Sequence, residues 1–450
     1  MKRFKLLRLS MSPILLLLGG LGLSPTAAHA TAATAPLPPI RHVWYIEMEN
    51  TTYGESFGAA QKPYLTQVLP SEGALLAQYY GIGHNSLDNY IAQISGQAPV
   101  YDTQNDCPSY DDFTASGASD QNGQAVGQGC VYPSNVLTLT DQLDPKHDGS
   151  NLTWKAYMEH MGDQLPRDMD TTCAHAPTFG NAATQTNTGS NDTTQKSTSS
   201  TSSDYASKHN PFVYFHSIVD DPAYCRAHVV NQRQMFADLS SVATTPNFSW
   251  FTPGLIDDGH DCQEVCPDIW LRTYLSAILD SPAYRQDGLV IVTFDESDAL
   301  GPAGVDVMAA CCNEMGGPNQ PSPSLYSGAN GGGGRIGAVL LSRYIKPGTV
   351  IDPVGTGQAT SGCTPQTCNT TGYYNHYSAL RSLEDLFGIV TGGNDGHGHL
   401  GFAGTYADYA GPGTFGCEVY TAYEPCVVNP TTSLTPASPS PNAMSGASLG

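Results

Sequence analysis

The sequence predicts an α/β fold whose central sheet is mostly parallel and covered by helices on both faces. Its clearest strands are two largely apolar runs, residues 43–48 and 289–294. A third run covers 336–341, and weaker ones cover 212–216 and 248–252. A strand that is apolar along its length, rather than alternating, indicates a sheet buried on both faces, which is typical of parallel sheets.

Helical segments separate these strands, and this second observation also favours a parallel sheet. Apolar residues recur with helical spacing at 90–95, 270–279 and 377–387. The last pattern is followed by Gly388, a residue type that ends helices in the left-handed conformation. Because ligands of parallel sheets bind beyond the carboxyl ends of the strands, the polar residues that follow the two clearest strands are the first candidates for a functional site.

Residues 1–30 predict a secretory signal peptide. A positively charged segment precedes an apolar one at 14–23, and Ala28-His29-Ala30 has the small-residue pattern of a cleavage site. The apolar segment is too short to span a bilayer as a stable helix, so secretion is favoured over the alternative of a membrane anchor. The mature protein is therefore expected to be secreted or periplasmic, without stable membrane insertion.

Composition divides the rest of the chain. The segment 31–39 is rich in small residues and proline and is interpreted as a linker, and the main domain is expected at 40–428. Within that domain, 184–203 is rich in Thr, Ser, Asn and Gln and predicts a flexible surface insertion. The final segment, 429–450, is rich in Ser, Thr and Pro and predicts a disordered tail.

The chain is strongly acidic. It has 19 lysines and arginines against 41 aspartates and glutamates, which gives a formal net charge of −22. Such a surface repels nucleic acid and anionic membranes, so a protein that binds the nucleic-acid backbone is disfavoured. The same surface repels phosphate esters, which means that any phosphate site in this chain needs a local cation.

The twelve cysteines predict disulfide bonds, because the chain carries a secretory signal. Short separations favour three local pairs: Cys262–Cys266, Cys363–Cys368 and Cys417–Cys426. Zinc binding is the alternative, but the sequence has no paired C-x-x-C motifs to support it.

Carboxylates follow both of the clearest strands. Glu49 and Asn50 come directly after the first strand, and Asp295 and Glu296 come directly after the second. Adjacent carboxylates repel each other, and a shared cation relieves that repulsion. A set of oxygen ligands favours a hard ion such as Mg, Ca or Mn over zinc. Taken alone, Glu49 and Asn50 are also explained as a solvated turn, and Asp295 and Glu296 as surface acids after a strand.

Ser86 is the candidate nucleophile. It stands at the start of a helical pattern, in His84-Asn85-Ser86-Leu87-Asp88. A helix N-terminus offers free backbone N–H groups and a partial positive charge, which stabilise both an alkoxide and a phosphate. Coordination of the hydroxyl to a metal would lower its pKa further. The alternative is that Ser86 only caps the helix.

Three histidines are candidate catalytic residues, and one aspartate is a further candidate metal ligand. His84 lies two residues before Ser86, where it could bind phosphate or protonate a leaving group. His260 follows Asp258 by two residues, so that both could reach one ion from a tight loop. His376 directly precedes a predicted helix. Taken alone, His260 and His376 are better explained by structural hydrogen bonds, and for His84 an orienting role is an equal alternative.

Together and in this order, the segments resemble the secreted bacterial phosphoesterases of the alkaline phosphatase superfamily, a group that includes acid phosphatases and phospholipases C. The resemblance covers roughly residues 40 to 405. It rests on six segments: 48–50, 84–90, 257–261, 294–296, 334–348 and 374–388.

The resemblance implies an α/β/α sandwich of the alkaline phosphatase type and a phosphoserine intermediate at Ser86. It also implies a divalent metal ion held by an oxygen-rich set: Glu49, Asn50, Ser86, Asp295 and Glu296. Asp258, His260 and His376 would either hold a second ion, for which zinc is a candidate, or stay free of metal and act on the phosphate. We favour one ion with the histidines acting on the phosphate.

Two enzymatic functions use the same machinery. The first is a secreted, metal-dependent acid phosphatase that hydrolyses small-molecule phosphomonoesters, and the second is a phospholipase C or another phosphodiesterase. An acidic chain without an exposed hydrophobic tail favours the first. A third interpretation, a non-catalytic secreted protein that binds cations, is disfavoured because the candidate nucleophile and the acidic ligands occur together.

Overall fold

A computed structural model provides the structure of the chain from residue 35 onward, with gaps. The described residues are 35–144, 151–165, 168–176, 204–263, 265–298, 310–311, 316–320, 332–353, 372–408, 413–428 and 434–435. The predicted signal peptide and the predicted insertion at 184–203 lie outside them. Of the predicted tail, Leu434–Thr435 is described, and it pairs in parallel with Ala35–Pro36.

Eight of the strands in the described residues form the central sheet, and the others form three small two-stranded sheets. In chain order, all of the described strands are β1 (Ala35–Pro36), β2 (His42–Met48), β3 (Ala74–Leu76), β4 (Tyr79–Tyr80), β5 (Thr114–Ala115), β6 (Gly127–Gln128), β7 (Trp154–Met158), β8 (Val229–Asn231), β9 (Phe248–Thr252), β10 (Gly288–Phe294), β11 (Ala338–Ser342), β12 (Thr349–Ile351), β13 (Tyr374–Asn375) and β14 (Leu434–Thr435). The order across the sheet is β12-β3-β11-β10-β2-β9-β7-β8. Only β11 is antiparallel to its neighbours in this sheet. All residues of β2 and β10 are buried, so the sheet is covered on both faces and the predicted α/β class is confirmed.

Helices form the outer layers of the fold. They are α1 (Leu69–Glu72), α2 (Ser86–Ser95), α3 (Leu139–Leu143), α4 (His216–Val219), α5 (Pro222–His228), α6 (Met235–Asp238), α7 (Cys266–Asp280), α8 (Pro282–Asp287), α9 (His376–Phe387), α10 (Gly401–Asp408) and α11 (Glu424–Val428). The helices predicted at 90–95, 270–279 and 377–387 are confirmed as α2, α7 and α9, and Gly388 ends α9 at φ 71° as expected. Among the described residues, no helix is both long enough and apolar enough to cross a membrane.

The strand predicted at 212–216 is wrong. Pro211–Tyr214 forms a 3-10 helix there, and α4 follows directly. Proline fixes φ near its helical value and lacks an N–H group, so at the first position it favours a helical turn over a strand. The strand predicted at 336–341 exists but begins two residues later, because Gly337 adopts φ 77°.

Four disulfide bonds link described residues: Cys107–Cys130, Cys173–Cys225, Cys262–Cys266 and Cys417–Cys426. The last two were predicted and are confirmed. The predicted pair Cys363–Cys368 lies outside the described residues. The first two pairs join residues 23 and 52 positions apart, which short spacing could not have indicated.

Among the four disulfide bonds between described residues, removing the bond between Cys173 and Cys225 is expected to lower the free energy of unfolding most. In the double Cys→Ala variant, the unfolded chain is no longer closed into a loop of 52 residues and gains conformational entropy. This gain lowers the free energy of unfolding by about 4 kcal/mol. The bond between Cys262 and Cys266 closes a loop of only 4 residues, and its removal should cost about 2 kcal/mol. Urea unfolding of both double variants measures the two losses, and equal losses would contradict this account.

An ion pair between His160 and Asp204 is expected to make stability depend on pH. Burial lowers the pKa of His160, but the hydrogen bond and charge of Asp204 outweigh it and raise that pKa to about 9. The folded value lies above the unfolded value of about 6.5. The stabilisation is therefore complete below a pH of about 6.5 and is lost as the pH rises through about 9.

The matched variant for this pair is His160→Asn, because position 160 has φ 59° and asparagine tolerates that conformation. The measurement is the free energy of unfolding of both proteins across this pH range. The difference between wild type and variant should shrink as the pH rises. A difference that grows with pH would show that His160 does not carry the charge.

Candidate active site

The candidate site lies at the carboxyl ends of β2, β9 and β10. Strands β2 and β10 pair in parallel with Met48 opposite Phe294, so the residues that follow them leave the sheet side by side. The Asp295 N–H donates to the Met48 carbonyl at 2.9 Å, and the Glu49 N–H donates to the Asp258 carbonyl at 3.0 Å. These backbone hydrogen bonds bring Glu49, Asp258 and Asp295 to one edge of the sheet, and all three are buried.

Helix α2 brings Ser86 to the same edge. The segment before α2 passes so close to β10 that a Cβ on Gly81 would lie 2.7 Å from the Asp295 carbonyl oxygen. Ser86 is the first residue of α2, and its Oγ donates a hydrogen bond to Glu49 Oε2 at 3.0 Å. The hydroxyl is therefore directed at a carboxylate, and the structure does not use it as a helix cap.

His209 lies between two of the carboxylates. Its Nε2 is 3.2 Å from Glu49 Oε1, and its Nδ1 is 3.3 Å from Asp258 Oδ2. The imidazole stacks on the Tyr90 ring with 5.4 Å between centroids and 2° between planes. A 3-10 helix at Ser207–His209 supplies this residue, so both edges of its ring face acidic groups.

Asp295 and Glu296 are adjacent but have different partners. Asp295 Oδ1 accepts a hydrogen bond from the Asn50 N–H at 2.9 Å, whereas Oδ2 is buried and makes no hydrogen bond. Glu296 contacts His84 Nδ1 and accepts from the Asn85 N–H at 3.1 Å. Glu296 thus anchors the loop that precedes α2 and fixes the start of that helix.

A cationic group faces the acidic groups from the segment that carries His209. Lys208 Nζ donates to Asp106 Oδ2 at 3.0 Å and lies 3.5 Å from His260 Nε2. His260 Nδ1 in turn lies 2.9 Å from Asp261 Oδ1. Burial lowers the pKa of Lys208, but the negative charge of Asp106 outweighs it and the pKa is raised. Lys208 therefore keeps its positive charge in the folded protein.

Both ring nitrogens of His376 are engaged. Its Nε2–H donates to the backbone carbonyl of Asp295 at 2.6 Å, and its Nδ1 lies 3.3 Å from the Tyr79 hydroxyl. Burial lowers the pKa of His376 to about 4, so the ring is neutral. In this arrangement His376 holds the backbone of Asp295, and neither nitrogen is left to act on a substrate.

Burial raises the pKa of the carboxyl groups at this edge. For Asp295 it reaches about 8, through burial first and then through the charge of Glu296. Burial also raises the pKa values of Glu49 and Asp258 well above their usual range. Carboxyl groups buried this closely must either take up protons or share a cation.

The donor atoms fit a metal ion. Glu49, His209 and His260 each offer a ligand atom, and these atoms lie within 4.8 Å of one another. Asp295 Oδ2 and Asp258 Oδ2 are buried acceptors without a hydrogen bond, and such atoms need a partner. A divalent cation would neutralise these oxygens. The group of three contains His209, which the sequence did not indicate, and does not contain His376.

Three residues of the site were missed by sequence reasoning: Asp106, Lys208 and His209. Lys208 and His209 are adjacent basic residues in an acidic chain, and that pairing was the available signal. Nothing comparable marks Asp106, whose position depends on a left-handed backbone with φ 56°.

Residues 41–390 match the phosphoesterase family, and the chain belongs to that family. The matched region runs from the residue before β2 to the loop after α9, so it includes all candidate site residues. The resemblance to phosphoesterases that the sequence indicated is thereby confirmed.

The chain is similar to several phosphatases. It is 29% identical over 289 residues to the phosphate-repressible acid phosphatase of Penicillium chrysogenum, covering 61% of this chain and 55% of that protein. It is 22% identical over 357 residues to the phosphatidylinositol-3-phosphatase of Mycobacterium tuberculosis, covering 79% and 80%. The chain spans about half the length of the acid phosphatases that it matches. Among solved structures it is similar to a protein in the alkaline phosphatase superfamily from Vibrio parahaemolyticus, with 12% identity, coverage of 79% and 68%, and a TM-score of 0.39.

Proposed function

We propose that this protein is a metal-dependent phosphatase that hydrolyses phosphomonoesters through a phosphoserine at Ser86. The observation that supports the proposal most directly is the hydrogen bond of 3.0 Å from Ser86 Oγ to Glu49 Oε2, within a group of buried carboxylates. Membership of the phosphoesterase family supports ester hydrolysis. The relatives described as acid phosphatases favour monoesters as substrates.

We place one divalent cation, Mg, Ca or Mn, among the oxygen donors that the sequence indicated: Glu49, Asn50, Ser86, Asp295 and Glu296. When bound, such an ion neutralises phosphoryl oxygens and acidifies the serine hydroxyl. Glu49, His209 and His260 form the nitrogen-containing group next to it, where zinc as a second ion is the alternative.

The side chains of this protein would perform the transfer in two stages. Ser86 Oγ forms a bond to phosphorus while the bond from phosphorus to the leaving oxygen breaks, and the hydroxyl proton leaves along the hydrogen bond to Glu49. His260, oriented through Nδ1 by Asp261, protonates the leaving alkoxide through Nε2, whose contact with Lys208 at 3.5 Å is long for a hydrogen bond. Water then attacks phosphorus while the bond between phosphorus and Oγ breaks. A proton of the water passes to His260, and Glu49 returns its proton to Oγ, so phosphate is released and all three side chains are restored.

The remaining candidate histidines would hold this arrangement in place. His84 contacts Glu296 and so fixes the loop before α2. His376 fixes the Asp295 backbone through its Nε2–H. Both are positioning residues in this proposal, although the sequence alone left a catalytic role open for each.

We also propose that the protein works outside the cytoplasm, as a secreted or periplasmic enzyme. The four disulfide bonds among the described residues support this, because such bonds persist in oxidising compartments. The sequence pattern of residues 1–30 agrees with it. We expect the cysteines of protein recovered from the medium or periplasm to resist labelling by a thiol reagent until a reductant is added.

The proposed function is tested with a panel of esters and ions. The protein is stripped with a chelator, reloaded with Mg, Ca, Mn or Zn separately, and assayed on p-nitrophenyl phosphate, bis(p-nitrophenyl) phosphate and phosphatidylcholine. We expect turnover to require a metal and to be fastest on the monoester. Acid quenching during turnover should trap a phosphoryl group on the peptide that contains Ser86.

Other outcomes of the panel would favour the alternatives. Faster turnover of either diester would favour a phosphodiesterase or a phospholipase C. Metal binding without hydrolysis of any ester would favour the non-catalytic cation-binding protein. A phosphorylated peptide that lacks Ser86 would overturn the assignment of the nucleophile.

A further inference from the structure

A buried lysine stands among the acidic groups of the candidate site. Lys208 is 8% exposed, and its Nζ contacts both Asp106 Oδ2 and His260 Nε2. Burial raises the pKa values of Glu49 and Glu296, and the charge of Lys208 opposes that rise at both residues. Lys208 is therefore within electrostatic reach of the acids that flank Ser86.

Asp106 connects this lysine to the helix of the nucleophile. While its Oδ2 accepts from Lys208, its Oδ1 accepts from the Leu87 N–H at 3.1 Å, one residue after Ser86. The carboxylate thus holds the ammonium group beside the first turn of α2. The distance between Lys208 and the reacting hydroxyl is set by one side chain that binds both segments.

The backbone around Asp106 is held in an unfavourable conformation. Asp106 and Cys107 have φ angles of 56° and 48°, in the left-handed region that residues with a Cβ seldom adopt. The disulfide between Cys107 and Cys130 fixes the loop in which they lie. Conformations of this kind persist where the surroundings enforce them, and they are concentrated at functional sites.

Stability alone is a weak explanation for a buried ion pair. The free energy needed to remove two charges from water is about as large as the free energy gained from their attraction. An apolar pair of similar size would therefore stabilise the fold equally well. A phosphate ester, in contrast, must enter a group of carboxylates in a chain of net charge −22. A fixed cation beside Ser86 offsets that repulsion.

We propose that Lys208, positioned by Asp106, binds a non-bridging oxygen of the phosphoryl group and selects dianionic monoesters over monoanionic diesters. This inference rests on the proposed function and assigns its substrate preference to one side chain. The attraction between an ammonium group and a phosphoryl group grows with the charge of that group, so a dianion gains roughly twice as much as a monoanion. His260, next to Lys208, then faces the leaving oxygen.

The test compares two esters with the same leaving group, p-nitrophenyl phosphate and methyl p-nitrophenyl phosphate. In Lys208→Met, kcat/KM should fall by about 10²-fold for the monoester and by only about 10-fold for the diester. The dissociation constant of inorganic phosphate, measured by calorimetry on the metal-loaded protein, should rise by at least about 10-fold. Lys208→Arg should restore most of the phosphate affinity, because the positive charge is kept.

Matched variants separate this role from a structural one. Lys155→Met removes a lysine from another ion pair, with Asp238 at 2.8 Å, and should leave both esters and phosphate affinity at wild-type values. The double variant Lys208→Met with Asp106→Asn leaves no lone buried carboxylate, and it replaces the single variant if that one fails to fold. It should show the same change in preference between the two esters.

The outcomes for Lys208 and for the proposed function are distinguishable. Equal losses on both esters, or unchanged phosphate affinity in Lys208→Met, would overturn the selection by Lys208 while leaving phosphatase activity established. A wild-type protein that hydrolyses neither ester would overturn the proposed function. Phosphate calorimetry would then still decide whether Lys208 binds a phosphoryl group.

Discussion

Replacing Ser86 by alanine is expected to lower kcat for p-nitrophenyl phosphate by at least ~10⁴-fold, because loss of a nucleophile removes the covalent step altogether. The structure limits what else the substitution can disturb. Ser86 Oγ makes its hydrogen bond to Glu49 Oε2, and the N–H of Leu87 in the first turn of α2 donates to Asp106 instead. Thermal unfolding of the variant should stay close to wild type, and the measurement is single-turnover release of p-nitrophenol.

The matched control for this variant is Ser95→Ala. Ser95 is buried in the same helix, at its opposite end, and its Oγ donates to the Ile91 carbonyl at 2.7 Å. The Ser95→Ala variant loses one buried hydroxyl of α2 that does not contact the carboxylates, so its turnover should remain near wild type. Equal losses in both serine variants would mean that α2 is merely destabilised, and turnover that survives in Ser86→Ala would remove Ser86 from the mechanism.

The acidic half of the site could be anticipated because each part of it is local in sequence. Glu49 follows one apolar strand directly and Asp295 follows another, and parallel pairing of β2 with β10 is sufficient to bring them together. Ser86 needed one more step, the start of a helix, which its neighbours indicate. In each case a short pattern determines both the secondary structure and the place of the side chain at its end.

The basic half of the site could not be anticipated in the same way. Lys208 and His209 reach the carboxylates from a 3-10 helix that precedes a proline, and the apolar residues after that proline were wrongly predicted as a strand. Asp106 depends on a positive φ and on a disulfide between positions 23 apart. These features arise from tertiary packing. The adjacent basic residues at 208 and 209 could have drawn attention to themselves, but no short pattern places them beside the carboxylates. For His376 the local structure was predicted correctly, since the residue does start a helix. Its two ring nitrogens, however, contact the Asp295 carbonyl and the Tyr79 hydroxyl, which the sequence did not indicate.

Replacing Glu49 by glutamine is expected to have the second-largest effect, a fall of at least ~10³-fold in kcat/KM together with weaker metal binding. One oxygen of Glu49 accepts the Ser86 hydroxyl and the other lies 3.2 Å from His209 Nε2. The amide keeps the size of the side chain but loses the charge that a cation requires. Titration calorimetry on the metal-free protein should show metal affinity reduced by at least ~10²-fold. Mutating residues that only hydrogen-bond to the ligands of a metal lowers metal affinity by ~10–100-fold, and loss of a ligand should lower it at least as much.

Glu47→Gln tests whether this effect belongs to position 49 or to any buried acid of β2. Glu47 is equally buried two residues earlier, and its Oε1 accepts from Gln93 Nε2 at 2.9 Å. Burial, and then the charge of Asp295, raises the pKa of Glu47 well above its usual range. Its hydrogen-bond partner is the Gln93 amide, so an amide at position 47 leaves the contacts of Glu49 with Ser86 and His209 in place. Metal affinity and turnover should therefore stay near wild type in Glu47→Gln. If instead Glu49→Gln binds the cation as tightly as wild type does, the ion does not lie beside Ser86, and the buried acids at the ends of β2 and β10 must be explained by shared protons.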